Sequence, residues 1–111
     1  MAASGALLDG PAATGGIAVA TPGASSQTRP AVAQLGSGFL VAWQDSRGDG
    51  DVYAARVSSA GVLLDGPPST GAFAVSSAVA LQSEPAVASD GSTALVTWRD
   101  QRLAVAGPGD I

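Results

Sequence analysis

Two short runs carry the side chains most able to do chemistry, Trp43-x-Asp45-x-Arg47 and Trp98-x-Asp100-x-Arg102. An indole, a carboxylate and a guanidinium at alternate positions fit two uses. They can line a ligand pocket, the ring stacking on a sugar and the charged pair supplying its hydrogen bonds. They can also serve the fold, the ring packing between sheets and the carboxylate capping backbone N–H groups of the next loop. The same run at two places favours the second use, because a repeated unit repeats its packing. The binding candidates are thus Trp43, Asp45, Arg47 and nearby Tyr53, with Trp98, Asp100 and Arg102.

A second pattern is acidic: Asp45, Asp49 and Asp51 in the run Asp-Ser-Arg-Gly-Asp-Gly-Asp. Calcium takes about six to eight oxygens, and a glycine-hinged run of carboxylates can supply some of them. Arg47 inside the run and the lack of a following Glu weigh against it, so no cofactor is expected. Arg47-Gly48-Asp49 also spells the adhesive tripeptide RGD, a match short enough to arise by chance.

Composition removes other chemistries. The 111 residues include no Cys and no His, which excludes a disulfide framework, a thiolate zinc site and an imidazole base. Other carboxylates sit in turns: Asp9 and Asp65 precede Gly-Pro, and Asp90 precedes Gly91. Nothing else resembles a nucleophile constellation or a phosphate loop, so the chain reads as a non-enzyme. Five basic and nine acidic residues give a net charge of −4, a poor match for nucleic acid. No apolar run approaches the ~20 residues of a membrane span, and no signal peptide is recognisable at the N-terminus. Alanine supplies 23 of the hydrophobic residues, nearly as many as the 24 Leu, Ile, Val and Phe together. A core of methyl groups stabilises weakly at roughly 25 cal/mol per Å² buried, so such a chain needs neighbours.

An internal repeat organises the chain. Residues 5–20 match 61–76 at ten of 16 positions, and 29–45 match 84–100 at ten of 17. The offsets are 56 and 55, so the chain holds two units, 5–60 and a shortened 61–111. Alternating apolar residues and Gly-rich turns place strands at 31–35, 38–44, 51–58 and 73–76, then 84–89 and 94–98. Four short antiparallel strands per unit predict an all-β chain built as a β-propeller, two four-stranded blades long. The phase leaves a lone strand at 17–20 and a rudimentary third strand at 103–106.

The Trp-x-Asp-x-Arg run and the following Asp51-Val52-Tyr53-x-x-Arg56 resemble repeats of bacterial secreted and surface proteins, similar to TolB-type propeller blades. Pro85-Ala86-Val87-Ala88-Ser89-Asp90-Gly91 carries the same resemblance in the second unit. The resemblance implies a propeller used for binding or scaffolding, at the cell surface or outside the cell. It implies no single activity.

Two blades cannot close a ring of typically four to eight. The expectation is a head-to-tail homo-oligomer, three or four chains closing by strand exchange. Ile17 and Val19 would pair with an edge formed by Leu95, Val96 and Val105 of a neighbour. The alternatives are a multivalent lectin with a glycan as partner, and a fragment of a secreted propeller hydrolase.

Overall fold

The computed structural model describes residues 8–11, 14–21, 25–102 and 111. Among them the chain is all-β. Strands β1 (Gln27–Leu35), β2 (Gly38–Asp45), β3 (Asp51–Val57) and β4 (Phe73–Ser76) follow one another as a four-stranded antiparallel meander. Strands β5 (Gln82–Ser89) and β6 (Ala94–Asp100) form a second, two-stranded sheet. All six coincide with strands predicted from alternation and turn residues, with ends shifted by a few residues.

The sequence repeat is a structural repeat. In the first sheet the pairing Thr28↔Gln44 jumps to Ala31↔Ala42, leaving Arg29 and Pro30 opposite Trp43 alone. In the second, Ser83↔Arg99 jumps to Ala86↔Thr97, leaving Glu84 and Pro85 opposite Trp98. Both are β-bulges, which tolerate proline because the extra residue leaves the ladder. Arg29 and Glu84 adopt matching left-handed conformations, φ 53° and 56°. Each bulge therefore sits across from a tryptophan, and re-aims the strand at that ring.

The Asp-Gly-Pro loops repeat as closely. The Gly16 N–H donates to the Asp9 carbonyl at 2.8 Å, and the Ala72 N–H to the Asp65 carbonyl at 2.8 Å. Gly15 and Gly71 each donate to the preceding Pro11 or Pro67 carbonyl at 2.6 Å. Gly10 and Gly66 hold φ at 96° and 98°. A Cβ on Gly71 would stand 2.5 Å from the Gly66 carbonyl carbon, so only glycine fits there.

The two sheets pack face to face through small residues. Leu40, Ala42 and Ala54 of the first sheet are buried, with Leu35 and Val75 beside them. Val87, Ala94 and Val96 of the second sheet press against that cluster. Backbone contacts tie the layers: Gly36 N–H donates to the Gly91 carbonyl at 2.6 Å, and Gln82 N–H to the Gly50 carbonyl at 2.9 Å. Leu35 and Gly91 form a parallel bridge, so β1 and the second hairpin run side by side at that end.

One expectation needs correction. Residues 17–20 are not a strand, although they repeat the sequence of β4. A strand needs a ladder partner, and β4 has β3, whereas no described strand stands beside 17–20. Instead Ile17, Val19 and Ala20 line a groove over Trp43, and the Thr21 N–H donates to the Pro68 carbonyl at 2.7 Å. Val96 lies on β6, an edge strand among the described residues, with its side chain packed into the cluster around Leu40. Leu95, its neighbour, is 65% exposed. Val105 and the third strand at 103–106 lie outside the described residues. The described residues hold no helix long and apolar enough to cross a membrane.

Candidate functional site

Positions 43 and 45 alternate along β2, so their side chains start on the same side of the sheet, and Arg47 follows in the loop after it. Trp43 pairs with Tyr53 across β2 and β3, and Asp45 closes the ladder opposite Asp51. Trp43 is 3% exposed and Asp45 is fully buried. The carboxylate is saturated by its own neighbours. Oδ2 accepts from Trp43 Nε1 at 3.0 Å and from Arg47 Nη2 at 2.8 Å, while Oδ1 accepts from the Arg47 N–H at 2.9 Å. The Arg47 guanidinium carbon lies 3.7 Å from the centre of the Tyr53 ring, a cation–π contact. Four side chains of the candidate set are thus one closed clasp.

Electrostatics follow from that geometry. Burial pushes the Asp45 carboxyl up, but the hydrogen bonds from the Arg47 side chain, the Arg47 N–H and Trp43 outweigh it. The carboxyl ends below its ordinary value of 3.8. Asp51 moves the other way, raised by burial first and then by the charges of Asp49 and Asp45.

The second copy is a looser version. The Arg102 N–H donates to Asp100 Oδ1 at 2.9 Å, and Arg102 Nε to Oδ2 at 2.8 Å. The hydrogen bond from the Arg102 side chain, then that from its N–H, hold the Asp100 carboxyl below the ordinary range. Trp98 Nε1, however, is buried with no hydrogen-bond partner among the described residues. It lies close enough to favour the Asp100 carboxylate weakly, the least of that group's stabilising influences, without completing a bond. The Arg102 side chain is 50% exposed against 28% for Arg47. An open pocket of about 220 Å³ lies beside Val96, Trp98, Asp100 and Arg102.

Asp45, Asp49 and Asp51 do not gather as a calcium site. Among the described residues no three His, Cys, Asp or Glu side chains converge as metal ligands. The physical reason is that Asp45 is spent on Trp43 and Arg47, while Asp49 is exposed. Arg47 of the RGD run is likewise turned to Asp45 and Tyr53.

Sequence reasoning missed a second clasp. Asp65 accepts from the Arg56 N–H at 2.6 Å and from Arg56 Nη2 at 2.7 Å, tying β3 to the following loop. The only sequence signal was Asp65 returning in the repeated Leu-Leu-Asp-Gly-Pro. No protein family, no curated protein and no solved structure matches this chain.

Asp51 offers a clean test of these charges. Asp45 and Asp51 oppose each other directly, and like charges so placed destabilise a ladder by roughly 0.2–1 kcal/mol. A carboxyl raised by folding costs stability only above its unfolded value. Asp51→Asn is therefore expected to raise the melting temperature at pH 7 by a few degrees, and to leave it unchanged at pH 3. Thermal scans monitored by circular dichroism at both pH values check this.

Proposed function

We propose that this chain is a non-enzymatic binding and scaffolding module of propeller-type blades, which assembles head to tail with copies of itself. The observation that carries the reading is the asymmetry between the sheets. β2 is paired on both sides, by β1 and β3, whereas β6 is paired only by β5 among the described residues. A row of unpaired N–H and C=O groups on an edge strand recruits another strand. Residues 17–20 repeat β4 and stand outside both sheets, which suits them to complete a neighbour's sheet. Burial of Trp43 and saturation of Asp45 support a structural use of the clasp over a sugar pocket.

Light scattering behind a sizing column, over a hundredfold dilution series, tests the reading. Three or four chains are expected in a discrete species, six or eight blades in all. A monomer at every concentration would refute self-assembly.

A further inference from the structure

The two faces of each sheet differ, and the sheets stack in one sense. Directly opposed residues of an antiparallel pair share a face, so Leu35, Leu40, Ala42 and Ala54 lie on one side of the first sheet. Val32, Phe39, Val41 and Trp43 lie on the other. Shifted by the repeat offset of 55, the latter become Val87, Ala94, Val96 and Trp98 of the second sheet. Val87, Ala94 and Val96 are the residues that press on Leu40, Ala42 and Ala54. The leucine face of one unit thus packs on the tryptophan face of the next.

Among the described residues, that arrangement leaves one face of each kind without a partner sheet. Leu40 is 6% exposed inside the stack, while its counterpart Leu95 is 65% exposed on the outer face of the second sheet. Val87 is partly buried in the stack, while its counterpart Val32 is 60% exposed. Phe39, the counterpart of Ala94, is 45% exposed. Monomeric proteins rarely leave such apolar patches bare on opposite ends of one molecule.

We infer that the exposed Leu95 face of one chain docks on the Val32–Phe39–Val41 face of a second copy, reproducing between chains the interface already formed within one. A second copy is the occupant because the two bare faces are the two halves of that internal interface. The contact is heterologous, one kind of face against the other, so it builds a ring or a filament rather than a closed pair. Leu95 stands for Leu40 at the centre of the contact and Phe39 enlarges it relative to Ala94, while Thr97 replaces Ala42 and Asp90 replaces Leu35 at its edge. One polar contact does not: Gln44 Oε1 accepts from the Glu84 N–H at 3.4 Å, and Arg99 stands where Gln44 would be. The inference rests on the self-assembly proposed above but makes face packing, rather than strand exchange, the principal contact.

Charged substitutions on each face separate the two. Leu95→Asp and Val32→Asp are expected each to raise the half-assembly concentration at least a hundredfold. An equimolar mixture should recover a two-chain species and nothing larger, because the mixture retains one intact pair of faces. Thr97→Asp and Phe39→Asp, also at exposed positions, repeat the test should either first variant fail to fold by circular dichroism. If the wild-type chain assembles and these variants assemble at the same concentration, face packing is wrong while self-assembly stands. If the wild-type chain stays monomeric, both fall together.

Discussion

Asp45→Ala is expected to remove about 3 kcal/mol of stability, more than half of what a small alanine-rich chain holds. The substitution removes the acceptor for Trp43 Nε1, the Arg47 N–H and the Arg47 guanidinium at one stroke. Breaking a buried ion pair from one side costs roughly 3–5 kcal/mol, since the other charge is stranded. The lower end of that range applies, because Arg47 keeps 28% of its side chain in water. Small domains hold only about 5–15 kcal/mol, and an alanine-rich core belongs near the bottom of that span. Asp45→Asn keeps an acceptor for the indole and loses the charge, so its effect should be smaller. Urea titrations followed by tryptophan fluorescence give the order wild type, Asp45→Asn, Asp45→Ala. A loss of under about 1 kcal/mol in the alanine variant would show that the clasp holds nothing together.

The same carboxylate sets the response to acid. Its folded value lies below 3.8, so its contribution is in place above that value and fades as the pH falls through the folded one. Asp65, lowered first by the Arg56 hydrogen bond, and Asp100, lowered first by Arg102, act in the same direction. Asp51 alone opposes them. Stability should therefore hold from neutrality to about pH 4 and fall below it, less steeply in Asp45→Asn.

The strands were legible because each is framed by a turn with its own chemistry. Gly36-Ser37-Gly38 and Asp90-Gly91 mark the two hairpins, and alternation on either side sets the register. The bulges were not legible. Arg-Pro and Glu-Pro read as strand starts, and only the pairing shows two residues facing one tryptophan. The mistaken strand at 17–20 has a general cause: alternation says that a segment can extend, not what it extends beside. The Trp-Asp-Arg clasp was readable because its members are two residues apart. Arg56 and Asp65 are nine apart and meet only once the chain has turned back after β3.

The repeat also turns each tryptophan into a control for the other. Both face a bulge, yet Trp43 is 3% exposed with its Nε1 bonded to a buried carboxylate, whereas Trp98 is only partly buried and its Nε1 has no partner among the described residues. Replacement by phenylalanine keeps most of the ring and deletes the N–H. At position 43 this removes a hydrogen bond to a charged group, worth roughly 1.5–3 kcal/mol, and leaves the carboxylate short of a donor. At position 98 it deletes a buried donor that only weakly favours the Asp100 carboxylate, so stability should change little. Alanine magnifies the contrast. Trp43→Ala removes a ring that is almost wholly buried and should cost about 3–5 kcal/mol. With about 4–8 °C of melting temperature per kcal/mol in a domain of this size, that is a drop of at least ~12 °C. Trp98→Ala should fall well short of that, because part of its ring is already in water. Melting curves of the four variants decide the matter. Equal losses at the two positions would mean that the clasp and its looser copy are energetically the same, and that the missing hydrogen bond at Trp98 carries no weight.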